Sequence, residues 1–167
     1  KYVDLRMAIQ NEPIINDLKP LINCSVKTIY LHIGLHKTAT SSIQNTLKST
    51  SNILKEMGGG FLFEDKLLSN YNLYFLSLFF NPSNLSNINL ALQTDLNQVE
   101  EFNKHIKSHI YSNLRKTKCK TAIYSAEALS GAKDMNVLNI MKAFFAELVP
   151  NANIKIVVYV REIVSYE

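Results

Sequence analysis

The chain has 167 residues, of which 47% are hydrophobic and 19% charged, and its formal net charge is +4. That length and composition fit one globular domain and exclude a disordered chain. The charge is mild and forms no long run of one sign, which argues against a nucleic-acid tail or a duplex-binding stripe.

Residues 1–26 hold Pro13 and Pro20 and show only patchy periodicity, so they read as a lead-in segment or linker with one short helix around Leu5 to Gln10. Residues 27–167 read as the domain proper. Lys27 to Ile33 (KTIYLHI) is a compact β-type run that ends at Gly34, as a buried strand does. A polar loop from Leu35 to Thr40 follows, and a helix is expected from Ser41. Ile43, Leu47, Ile53 and Leu54 supply its apolar face, and Gly58-Gly59-Gly60 stops it.

Phe61 to Phe63 reads as a short strand and the aromatic stretch Leu67 to Phe80 as a helix. Asn81 to Asn89, with Pro82 inside it, reads as a loop. From Asp95 to Lys116 the residues Leu96, Val99, Phe102, Ile106, Ile110 and Leu114 recur at steps of three and four, which predicts an amphipathic helix. Arg115 and Lys116 suit the negative end of its dipole. Thr121 to Ser125 is the next core strand. Asp134 has the character of an N-cap for a helix built on Val137, Leu138, Met141, Phe144, Phe145 and Leu148 and closed by Pro150. Ile154 to Val160 (IKIVVYV) is the most apolar strand, and Arg161 follows it directly. Strands rich in β-branched residues alternate with helices, so the expected class is α/β, a parallel sheet flanked by helices on both faces.

Several function classes carry little support. Cys24 and Cys119 are too few for a disulfide scaffold and lack metal-site spacing. Glu101, His105 and His109 share one helix face, but a solvated face is the stronger reading there than a metal site, and no metal is expected. Tyr71, Tyr74, Phe75, Phe79 and Phe80 read as core more readily than as an acceptor pocket. His32, inside the first strand, reads as a satisfied core histidine. No signal peptide or membrane-length apolar run is visible, so a cytoplasmic location is the default. The chain begins at Lys1 without an initiator Met, and an upstream segment is expected.

Open parallel sheets bind ligands beyond the carboxyl ends of their strands. The three main strand exits carry Gly34 to Ser42, then Ala126-Glu127, then Arg161. Together they offer a Lys, hydroxyls at Thr38, Thr40, Ser41 and Ser42, an acid and an Arg, which suits a multiply anionic ligand. A helix start adds unpaired N–H groups and a favourable dipole. Capping needs one hydroxyl, and this loop supplies several behind a Lys. The spacing departs from the phosphate loop of nucleoside triphosphatases, because Gly34 has no Gly partner before Lys37.

IYLHIGLHKTATSSIQNTL, from Ile29 to Leu47, resembles the 5′-phosphosulfate-binding loop of the sulfotransferase family, whose bacterial members often read close to HIGxxKTGTTSIQ. Lys37, Thr38, Thr40, Ser41 and Ser42 match, and Ala39 stands where the family usually has Gly. IYSAEALSG, from Ile123 to Gly131, is similar to the family's Ser-Ser-Glu segment, and IKIVVYVRE, from Ile154 to Glu162, to the strand that delivers an Arg to the donor's 3′-phosphate. A Ser further on shares that task in the family, and this chain stops at Glu167 before its place.

The resemblance implies the amino-terminal part of a P-loop-like nucleotide-binding sulfotransferase fold, incomplete at its carboxyl end. It also implies 3′-phosphoadenosine-5′-phosphosulfate as donor and a small-molecule or glycan hydroxyl, or an amine, as acceptor. Gly34, Lys37, Thr38, Ala39, Thr40, Ser41, Ser42 and Arg161 would bind the donor. Lys37 would also act in catalysis, with Glu127 as first choice of general base and His36 as second. Two other readings stay open. One is a non-catalytic binding domain of the same fold. The other is a phosphotransferase using a nucleoside triphosphate, against which the loop spacing counts.

Overall fold

A computed structural model describes residues 13–34, 40–61, 78–79, 96–126 and 136–159. Its strands are β1 (Thr28–Gly34), β2 (Gly59–Phe61), β3 (Thr121–Ser125) and β4 (Asn153–Tyr159). Its helices are α1 (Thr40–Ser49), α2 (Ser51–Glu56), α3 (Leu96–Lys116) and α4 (Asn136–Leu148). The strands form one sheet in the order β2-β3-β1-β4, parallel throughout. Thr28 of β1 lies level with Thr121 of β3 and with Asn153 of β4.

Among the described residues this order places β1 inside the sheet and β4 at its edge. Right-handed crossovers from such an order put α1 on one face and α3 and α4 on the other. The contacts agree. On β3, Tyr124 faces α4, its ring 4.8 Å from that of Phe145. Ser125, the next residue, turns to the opposite face and meets Gln44 of α1.

The core lies under the face of Ile29, Leu31, Ala122 and Tyr124. Of the apolar period expected of α3, Val99, Phe102, Ile106, Ile110 and Leu114 are buried. In α4, Val137, Met141, Phe145 and Leu148 are buried and Leu138 and Phe144 half-buried. Phe79 is buried too, with its ring 5.5 Å from that of Phe144. The described lead-in residues dock on this layer. Ile15 N–H donates to Ser108 Oγ (2.8 Å) and Leu21 N–H to the Leu148 carbonyl (2.8 Å). Val26 is fully buried.

Three expectations need correction. The helix after β1 begins at Thr40, one residue early, and divides at Thr50 into α1 and α2. Ser49 Oγ (3.0 Å) and Thr50 Oγ1 (2.7 Å) both donate back to the Thr46 carbonyl, and such back-bonding bends a helix. Backbone bonds from Thr50 N–H to Thr46 and from Leu54 N–H to Thr50 bridge the division, and Ile53, expected on the apolar face, is 58% exposed.

The second correction concerns the glycine run. Gly58 takes φ +76, a left-handed value, and its N–H caps the Lys55 carbonyl at 2.9 Å. Gly59 and Gly60 belong to β2, which starts two residues before Phe61. Third, β4 is not a core strand. Ile156, Val157, Val158 and Tyr159 are all exposed, because among the described residues β4 pairs with β1 alone and no helix covers its carboxyl half. The expected helices at Leu5 to Gln10 and over most of Leu67 to Phe80, the loop at Asn81 to Asn89 and the Asp134 cap lie outside the described residues.

Candidate functional site

Parallel pairing carries the carboxyl ends of β1, β3 and β4 to one end of the sheet. Gly34 lies level with Tyr159, and His32 with Ser125 and Val157. Pairing continues one residue past β3, where Ala126 N–H donates to the His32 carbonyl at 2.9 Å. Gly34 closes β1, and Thr40, Ser41 and Ser42 are the first three residues of α1. Five residues therefore connect the central strand to a helix start. The first turn of α1 holds no acidic residue, so no carboxylate competes there for the N–H groups. Ser42 is exposed in that turn.

His36, Lys37, Thr38, Ala39, Glu127 and Arg161 lie outside the described residues. The structure thus brings together one part of the expected set: Gly34, Thr40, Ser41 and Ser42 on the strand–helix junction, beside the end of β3.

A feature missed by the sequence reading sits just beneath that junction. His32 Nδ1 is 2.8 Å from Ser125 Oγ, and Gln44 Nε2 donates to the same oxygen at 3.0 Å. These hydrogen bonds join β1, β3 and the second turn of α1 through two buried groups and the half-buried Gln44. Ser125 is fully buried and His32 is 6% exposed. Burial pushes the imidazole below its ordinary pKa, because a charged ring would lose its hydration. His32 is therefore only half satisfied, since its Nε2 has no partner among the described residues. The local sequence held one clue. Ser41-Ser42-Ile43-Gln44 has the form of a capping box, which would send Gln44 back to its own helix. The structure sends it across to Ser125 instead.

The solvated reading of α3 is also corrected. Glu101 is exposed beside Lys104 at 3.7 Å, but His105 and His109 are buried. His109 Nε2 is 2.8 Å from Asn113 Nδ2. They sit beside the core positions Phe102, Ile106 and Ile110, so the buried stripe is wider than the apolar residues alone mark. Among the described residues no group of His, Cys, Asp and Glu is arranged to hold a metal ion, and no helix is long and apolar enough to cross a membrane.

Comparisons of the chain with protein-family models, with curated proteins and with solved structures found no match.

Proposed function

We propose that the chain is the donor-binding part of a sulfotransferase, transferring a sulfuryl group from 3′-phosphoadenosine-5′-phosphosulfate to a hydroxyl or amine of a small molecule or glycan. The observation that carries the reading is the junction itself. A central parallel strand ends five residues before an acid-free helix start, at the end of the sheet where its neighbours also emerge. Position and donors together suit a phosphate. The motif from Gly34 to Ser42, read with the segments holding Glu127 and Arg161, narrows that phosphate to the phosphosulfate donor.

In this scheme the acceptor oxygen or nitrogen attacks sulfur in line. The bond from sulfur to the bridging oxygen breaks, and the adenosine bisphosphate leaves with that electron pair. Lys37 stabilises the charge growing on the bridging oxygen. Backbone N–H groups with Thr38, Thr40, Ser41 and Ser42 hold the 5′-phosphate, and Gly34 and Ala39 lend main chain to the loop. The planar fork of Arg161 pairs with the 3′-phosphate. Glu127, or else His36, takes the acceptor's proton. The scheme requires no metal.

A second reading is a non-catalytic binding domain of the same fold. Ala39 favours it, since a residue with a side chain is costly where the loop needs φ above zero.

Calorimetric titration with 3′-phosphoadenosine-5′-phosphate, without metal and with ATP–Mg as control, tests the donor site. The bisphosphate is expected to bind and ATP–Mg to bind far more weakly. Equal binding of the two would favour the triphosphate-using alternative, and no bisphosphate binding by the folded chain would reject the donor site.

A further inference from the structure

The carboxyl half of β4 is apolar and exposed on both faces of the sheet. Ile156 lies level with Leu31 of the core face, and Val158 follows it there, since side chains alternate along a strand. Val157 and Tyr159 lie on the opposite face, toward Ile43 and Leu47 of α1. A molecule seated on one face would leave the other bare. What the four residues share is the free edge of β4, which pairs with β1 alone among the described residues. An added strand serves both faces at once.

The backbone sets which groups that edge presents. Asn153 N–H donates to the Lys27 carbonyl, just before β1, at 2.8 Å. Successive strand residues turn their amide groups to opposite sides. Asn153, Lys155, Val157 and Tyr159 therefore turn theirs to β1, and Ile154, Ile156 and Val158 turn theirs outward. Those outward donors and acceptors meet no partner among the described residues. Edge strands are commonly guarded by a charge, a proline or a bulge. β4 has no proline, and its one charge, Lys155, precedes the exposed stretch and leaves Ile156 to Tyr159 unguarded.

We infer that β4 is a pairing edge for a second copy of this chain, running antiparallel across a two-fold axis at Val157. The outward amides match only where an outward residue stands opposite an outward residue. With Ile156 opposite Val158 of the second copy, the two exchange both hydrogen bonds. Val157 then stands opposite its own counterpart, and Lys155 opposite Tyr159. Setting Ile156 opposite itself would also match the amides, but it makes the two Lys155 side chains diagonal neighbours. The register at Val157 holds these like charges apart. It also sets each ammonium near an aromatic ring, the contact Lys155 already makes with Tyr30 at 5.6 Å. A strand edge alone makes a smaller contact than the about 1,000 Å² of a lasting interface, so the dimer is weak and grows with concentration. It does not depend on the sulfotransferase reading.

Sedimentation equilibrium of the full chain, at concentrations up to about 1 mM, tests this. The mean mass is expected to rise from one chain toward two. Val157→Lys and Val157→Glu each place like charges opposite each other at the axis, and each variant should stay monomeric with an unchanged circular dichroism spectrum. Mixed in equal amounts they should recover the dimer, because opposite charges then meet. Val158→Pro removes an outward N–H and none that β1 uses, as edge strands tolerate. It should also be monomeric, and it serves as the variant if the charged ones fail to fold. An unmodified chain that stays monomeric throughout, a mass that climbs past two chains, a folded variant that dimerises as the unmodified chain does, or a mixture that stays monomeric would overturn the inference.

Discussion

The β4 strand is the more apolar in sequence, yet it ends in more exposed surroundings than β3. Both strands flank β1 in parallel register. On the β3 side Ala122 and Tyr124 are fully buried beneath Phe145 and the long face of α3. On the β4 side Val158 and Tyr159 are about half exposed, at 49% and 55%. The difference is one of place in the sheet. A strand with neighbours on both edges and helices on both faces turns its hydrophobicity into core, whereas an edge strand leaves much of it at the surface. Stability should therefore be concentrated on the β3 side, and the carboxyl half of β4 should tolerate truncation.

The largest expected effect is Phe145→Ala. Its ring is fully buried against Tyr124, and removing such a ring costs about 3–5 kcal/mol. Urea denaturation should show a fall of that size in the unfolding free energy. Val158→Ala, a smaller truncation on an exposed site, should stay within about 0.5 kcal/mol, as surface changes do. Similar losses at both positions would break the comparison.

Ser125→Ala should come next. It removes the shared partner of His32 and Gln44 and leaves both ring nitrogens of a buried imidazole unsatisfied. Orphaned buried polar groups of this kind cost about 1–3 kcal/mol, which the same denaturation series would measure.

A smaller effect is expected from pH. Folding lowers the pKa of His32 through burial, while an unfolded histidine titrates near about 6.5. Above that pH neither state holds the proton, and stability is at its plateau. As the pH falls below it, the unfolded chain takes up the proton first and stability drops, until the folded His32 is protonated too. The slope from this group is at most about 1.4 kcal/mol per pH unit. His32→Gln should flatten the profile between the two pKa values, and an unchanged profile would assign the acid sensitivity elsewhere.

The smallest effect should be at Ile53, which is exposed to solvent. Ile53→Lys should change stability by no more than about 0.5 kcal/mol. A clear loss would mean that Ile53 is buried in solution.

Local periodicity was enough to place β1, β3, α3 and α4 within a residue or two, because each carries its own buried stripe or β-branched run. Features that depend on two distant segments were not legible. The exposure of β4 follows from the strand order and not from IKIVVYV itself. The division at Thr50 sits where two hydroxyls donate back to one carbonyl. Gln44 resembled a residue serving its own helix, yet its partner lies 81 positions away. The junction was legible because strand, loop and helix are contiguous. Lys37, Glu127 and Arg161 remain expectations from the motif alone.

Lys37 is the residue on which the donor site most depends, so Lys37→Ala beside the unmodified chain, titrated with 3′-phosphoadenosine-5′-phosphate and with the fold checked by circular dichroism, is the decisive measurement. At least a tenfold loss of affinity, or about 1.4 kcal/mol, with an unchanged spectrum is predicted. Unchanged affinity in the folded variant would contradict the anion site at the end of β1.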